Sequence, residues 1–146
     1  MLNLAAANVA KDFKPLRNLF SCFNSLWKFF HNSPKRHNNL VEVQNILKDP
    51  VLELVHAGDT RWTSHYRSVR AVRLCLRAVV ATLQHIHTSG DDLSSEAGGL
   101  LLTLQSQSSI LLIFATEKIL QPLNVLTLQL QSSTSSLATL PEKVSS

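Results

Sequence analysis

Hydrophobic residues recur along this chain mainly at steps of three and four, which is the spacing of one face of an α-helix. The strongest stripe follows Pro15, a residue that suits the first turn of a helix because it lacks an N–H. Its members are Leu16, Leu19, Phe20, Phe23, Trp27 and Phe30. We predict a helix that ends near His31 and turns this aromatic stripe into the core. A groove for a partner protein is the alternative.

Similar periodic patterns predict five more helical segments. These are residues 2–13, 35–48, 63–87, 93–104 and 110–130. We expect the Gly98-Gly99 pair to interrupt the fourth of them and Pro122 to kink the last.

Residues 51–57 have the character of a strand, because this run is short, partly β-branched and closed by Gly58. One strand cannot make a sheet alone. The residues after Gln131 are rich in serine and threonine, which predicts a disordered tail. We therefore expect a mainly α fold with at most one or two short strands.

The predicted helix over residues 63–87 carries apolar and basic residues on opposite faces. Its apolar arc consists of Val69, Val72, Leu76, Val79 and Leu83. Its basic arc consists of Arg67, Arg70, Arg73 and Arg77, and no acidic residue lies between Arg61 and Gln84. Four arginines on one stripe can bind the phosphates of a nucleic acid. The alternative is an ordinary solvated helix surface.

Arg61 and Trp62 lie at the entrance of this helix, where both could serve a nucleic acid. A tryptophan there can stack on an unpaired base, an interaction worth about 1–3 kcal/mol per base. The alternative is that the indole of Trp62 packs under the preceding strand.

Length and composition suggest one mildly basic domain, since the chain has 146 residues and a net charge of +4. Cys22 and Cys75 lie far apart without a pairing motif, which favours reduced, buried thiols and no structural zinc site. We predict no metal and no cofactor. The longest uninterrupted apolar stretch, Ile110 to Ala115, is far shorter than the roughly 20 residues of a membrane span, so we predict no membrane partner.

Several motifs in order along the chain resemble segments of one protein family. The most specific is Gly58-Asp59-Thr60-Arg61-Trp62, which is similar to the family's S-D-T-R-W. Weaker likenesses are found at residues 1–4, 20–30, 96–101 and 119–131. Together these segments resemble the transposases of the hAT superfamily, with the zinc finger MYM-type 1-like branch as the most similar group.

The resemblance implies a fragment of an RNase H-like core over residues 1–62, the start of a helical insertion domain over 63–131 and a disordered tail over 132–146. In the family, core carboxylates bind two divalent metal ions for DNA cleavage. None of the ten acidic residues here corresponds to a catalytic position, so we expect no enzymatic activity. The resemblance assigns Arg61 to phosphate or active-site support and Trp62 to base stacking, and it implies a nuclear location.

Three functional hypotheses follow. The first is a catalytically inactive, transposon-derived protein with residual nucleic-acid binding, possible DNA contacts being Arg61, Trp62, Arg67, Arg70, Arg73 and Arg77. The second is a helical protein-interaction module that uses residues 20–30 or 100–112. The third is a truncated product without function.

Overall fold

The computed structural model describes residues 12–58 and 62–144, with side chains described up to residue 136. The helix predicted over residues 2–13 lies outside this description up to residue 11. Six helices are described: α1 (Lys14–His31), α2 (Pro34–Ile46), α3 (Trp62–Leu74), α4 (Leu76–Ser89), α5 (Ser94–Gln105) and α6 (Gln107–Val144). The described part of the chain is therefore mainly α, as predicted, and it contains no strand.

Helix α1 supplies the centre of the core through its aromatic stripe. Leu19, Phe23, Leu26 and Phe30 are fully or almost fully buried. Trp27 lies at the edge of the core, half-buried and stacked on His31 with ring centroids 4.5 Å apart. The prediction that this stripe enters the core is confirmed, and it leaves little of α1 to bind a partner.

The helix predicted over residues 63–87 is divided into α3 and α4 at Cys75, whose φ of −114° and ψ of 23° leave the helical region. The carbonyl of Ala71 accepts hydrogen bonds from both the N–H and the thiol of Cys75. The predicted apolar arc is buried on both sides of the break, with Leu76 only partly so. Gly90, at a φ of 74°, ends α4 in the left-handed conformation that glycine adopts most readily.

The prediction of a strand over residues 51–57 was wrong. A strand would hydrogen-bond to the backbone of a neighbouring strand, whereas the backbone of this segment is hydrogen-bonded by side chains. Asn24 on α1 donates to the carbonyl of Ala57 at 3.3 Å and accepts from its N–H at 2.8 Å. Gln44 on α2, which is fully buried, donates to the carbonyl of Leu52 at 3.1 Å. The segment therefore lies on α1 and α2 as extended, irregular chain.

Helix α5 runs through both of its glycines, so the predicted interruption at Gly98-Gly99 was wrong. A Cβ at Gly98 would lie 2.7 Å from ring atoms of His87 on α4, whereas one at Gly99 would meet nothing within 4 Å. The Nδ1 of His87 also lies 2.8 Å from the carbonyl of Ser94, to which it donates. Gly98 is thus a point of close approach between two helices.

Helix α6 is much longer than predicted, with 38 residues that pass through Pro122 and continue to Val144. The sequence predicted a disordered tail after Gln131, where the structure instead has helical backbone. Ile113, Thr116 and Leu120 face the core, mainly against α3. All side chains from residue 128 to residue 136 are exposed, so the end of α6 has no core contact in this part of the chain.

Candidate interaction surfaces

The predicted nucleic-acid residues do not form one continuous stripe. Arg67 and Arg70 on α3 are exposed, and among the described side chains neither has an acidic partner. Arg61 lies outside the described residues, as do its neighbours Asp59 and Thr60. Two exposed guanidinium groups therefore remain on the described part of this face, and their role as phosphate ligands stays a prediction.

The other two arginines of the stripe are paired with acids from distant parts of the chain. Arg73 forms an ion pair with Glu117 of α6. Arg77 donates to the carboxylate of Asp49 at 2.6 Å and to the carbonyl of Leu47 at 3.3 Å. The stripe seemed to lack compensating acids because these partners lie far away in sequence. Arg73 and Arg77 therefore connect α3 and α4 to their neighbours, and their charges are partly neutralised.

Trp62 begins α3 with its indole in the core, where only 7% of the residue is exposed. Its ring lies 5.4 Å from the ring of His65, which in turn packs edge-on against Phe20 at 4.6 Å. The indole N–H is buried without a described hydrogen-bond partner. In this arrangement the indole has no open face on which a base could stack; it is packed inside the protein as the alternative held, but beside His65 and not under a strand.

The largest exposed apolar surface of the described chain lies on α6. We call this the α6 surface, and its residues are between 43% and 65% exposed: Leu111, Phe114, Ile119, Val125, Leu126, Leu128 and Leu130. The sequence prediction of an apolar helical surface at residues 100–112 found only its beginning, since Leu111 belongs to it and Leu102 on α5 is exposed separately. The missed part lies in the segment 110–130, which was predicted to be a helix kinked at Pro122.

An open groove of about 660 Å³ adjoins the start of this surface. Leu111, Leu112 and Ala115 of α6 line one side of the groove, and Pro15 and Leu19 of α1 line the other. The groove is therefore mostly apolar and lies where a side chain of a helix docked on α6 could enter.

Helix α6 also satisfies the length and composition of a membrane span over Gln107–Ser136, with a mean hydropathy of 1.3 in an 18-residue window. The short run Ile110 to Ala115 did not indicate a stretch of this length, because polar residues interrupt the apolar sequence after Ala115. Length and composition do not by themselves separate a membrane span from a helix of a water-soluble protein. The expectation of no membrane partner stays a prediction.

Among the described residues, the cysteine thiols and the potential metal ligands are the remaining reactive groups, and they form no recognisable catalytic group. Burial raises the pKa of the thiols of Cys22 and Cys75 to about 11, which keeps both protonated and unreactive at neutral pH. Within the described residues, no group of three or more histidine, cysteine, aspartate or glutamate side chains could hold a metal ion.

Comparisons with protein-family models, with curated proteins and with solved structures find no match to this chain. The resemblance to hAT-superfamily transposases rests on the sequence motifs alone.

Proposed function

We propose that this chain is a helical protein-interaction module in which α6 binds a helix of a partner protein. The α6 surface carries this proposal, because several large apolar side chains are exposed along this helix and no other described element covers them. A contiguous exposed apolar surface of this kind is typical of a docking site, whereas single exposed apolar residues are ordinary. A helical partner suits it, because apolar residues spaced along one helix pack against the apolar stripe of another.

The rest of the fold supports α6 in this role. Helices α1 to α5 bury their own apolar stripes around Phe23, Leu26 and Leu83. Helix α6 is attached to this body through Ile113 and Leu120 and through the Arg73–Glu117 ion pair. Its first half is therefore held rigidly, and its second half extends beyond the body with apolar side chains exposed.

A labelled helical peptide tests the module. The probe is a peptide of roughly four heptads with leucine at each core position and mixed charges elsewhere. Fluorescence anisotropy should show binding to the whole chain, held at nanomolar concentration. The double variant Phe114→Ser/Leu126→Ser should weaken binding at least tenfold, because each lost apolar contact is worth about 1.5–3 kcal/mol when fully buried.

The control is Leu102→Ser, which removes an even more exposed apolar side chain that lies on α5 and outside the α6 surface. It should bind the probe as the unmodified chain does. The proposal would be contradicted if none of the three proteins bound the probe, or if all three bound it equally well.

The second candidate is nucleic-acid binding by a catalytically inactive, transposon-derived protein, as the resemblance implies. The exposure of Arg67 and Arg70 without described acidic partners favours it. The proposed RNase H-like ancestry and nuclear location belong to this candidate as well. Its supporting surface is smaller than the α6 surface, since Trp62 is buried and Arg73 and Arg77 are paired with acids.

Salt-dependent DNA binding tests this candidate. Affinity for a DNA duplex should fall as the salt concentration rises, because each phosphate contact releases counterions. Arg67→Gln/Arg70→Gln should reduce the slope of log affinity against log salt by about two. The control Lys28→Gln/Lys35→Gln makes the same change in net charge at exposed positions elsewhere. Equal losses in both variants, or no binding, would reject a role for Arg67 and Arg70.

A further inference from the structure

The second half of α6 carries a repeat of seven residues that the proposed module does not by itself require. Apolar residues recur at alternating steps of four and three, with a single serine among them. We call them the heptad seam: Ile119, Leu123, Leu126, Leu130, Ser133, Leu137 and Leu140. Such spacing keeps one stripe of a helix in register with a neighbouring helix, because the two wind around each other with 3.5 residues per turn.

We infer that the heptad seam pairs α6 with α6 of a second copy of this chain. Ile119, Leu126 and Leu130 are exposed, and Leu123 is only partly covered by the body. Leu137 and Leu140 continue the repeat in the sequence, and the helical backbone runs past them to Val144. The inference rests on the proposed function, since it names the partner of the same helix.

Beyond the point where the repeat leaves the body, no described element of this chain covers it, so this position is open to a second molecule. Leu112 and Thr116 occupy earlier positions of the same seven-residue repeat, and both are at least partly buried within this chain. From Leu126 onward, the described seam residues are exposed. One helix therefore uses the first part of its stripe for its own core and presents the rest to a partner.

The charge pattern favours a second copy over a foreign protein. No charged residue occurs between Lys118 and Glu142. The positions that flank a heptad seam usually select the partner by charge, and here they include Thr127, Gln129 and Thr134. Self-pairing therefore meets no like-charge repulsion along the seam, and nothing along it attracts an oppositely charged partner.

The second half of α6 is a poor fit to a lipid bilayer. Gln129, Gln131 and the run from Ser132 to Ser136 place polar groups on several sides of the helix. A single-pass helix would expose these groups to lipid, whereas a pair of helices in water needs apolar residues only along the seam.

The area is also in the range of an interface between two copies. The six apolar residues of the seam would bury roughly 350–700 Å² per helix on pairing, if each removes the area that its transfer free energy implies, and the upper part of this range reaches the roughly 600 Å² per partner of the smaller specific interfaces. A standard interface buries about 800 Å² per partner. Gln121 and Gln131 lie on the same helix, are exposed, and belong neither to the seam nor to the α6 surface, which provides a control.

Sedimentation equilibrium of the whole chain tests the inference. The unmodified chain should form a discrete oligomer with a dissociation constant in the micromolar range or below. Leu126→Lys/Leu130→Lys places charges in the seam and should raise this constant at least 100-fold. The matched control Gln121→Lys/Gln131→Lys adds the same charge at exposed positions that lie outside both the seam and the α6 surface, and it should leave the constant within a few-fold.

Circular dichroism of both variants shows whether each retains its helices, as expected for substitutions at exposed positions. A monomer at all concentrations would overturn the inference, and so would equal weakening by the two variants. Flotation of the chain with phosphatidylcholine vesicles in place of oligomer formation would overturn it in favour of a membrane. Capture of the helical peptide probe by a chain that sediments as a monomer would retain the proposed function and reject the second copy as partner.

Discussion

At Gly98, the lack of a side chain brings α4 and α5 together. A Cβ there would lie 2.7 Å from the ring of His87, and the same ring donates a hydrogen bond to Ser94 at the start of α5. The neighbouring Gly99 is exposed and has open space where a Cβ would stand. Two adjacent glycines in one helix therefore have different roles, one in packing and one without a packing role.

This difference predicts opposite contributions to stability. Gly99→Ala should raise the free energy of unfolding by about 0.5–1 kcal/mol, because alanine is the better helix former. Gly98→Ala should lose that gain or become destabilising, since His87 must move and its hydrogen bond to Ser94 is strained. Urea titrations give both values. In a His87→Ala background Gly98→Ala should recover the gain. An equal gain from both single substitutions would show that His87 does not pack against Gly98.

At the scale of the element, two segments find partners in ways that local pattern does not describe. The extended segment around residues 51–57 binds the amides of Asn24 and Gln44, so it needs no neighbouring strand. Helix α6, in contrast, lacks part of its packing. Its first half packs against α3, whereas its described side chains from residue 128 to residue 136 are exposed. An isolated helix in water is marginal, and most helical stability in proteins comes from packing. Pairing along the heptad seam would supply that packing to the end of α6.

At the scale of the whole molecule, helices α1 to α5 and the first half of α6 share one core. Cys22 lies in this core on α1, and Cys75 lies in it between α3 and α4. Both thiols are therefore covered by the assembled fold and by no single element. Their reactivity reports on whether the chain closes its core.

We expect both thiols to label slowly in the native protein. Burial raises their pKa to about 11, so at pH 8 the reactive thiolate should be at least about 100-fold scarcer than in a free cysteine. Labelling with a thiol reagent across a urea titration should accelerate at the concentration where helical circular dichroism is lost. Fast labelling in buffer alone would mean that the core is open.

The same raised pKa values have a consequence for stability at high pH. The protonated thiols are favoured in the folded chain, so their contribution is fully present below the pKa of about 9 that an unfolded cysteine has. It is lost as the pH rises from there through about 11. The urea midpoint should therefore fall over this interval, and replacement of both cysteines by alanine should remove this part of the pH dependence.

Much of this architecture could be read from local pattern. The aromatic stripe of α1 and the apolar arc of α3 and α4 have the three- and four-residue periodicity of amphipathic helices, and burial follows from that periodicity. The ends of α1 and α2 follow similarly from nearby proline and polar residues, such as the Ser33 side chain that caps α2 by accepting from the N–H of Arg36.

Only the tertiary structure decided which polar residues meet. The pairing of Arg73 with Glu117 and of Arg77 with Asp49 removes two arginines from the predicted phosphate-binding stripe, and neither acid lies in the stripe's own helix. The burial of Trp62 and the use of Asn24 in place of a neighbouring strand depend likewise on contacts between distant segments. Periodicity is a local property of the chain, so by itself the sequence determined which faces are apolar. What covers each face depends on how the helices assemble, and this left the described side chains of α6 from residue 128 to residue 136 exposed.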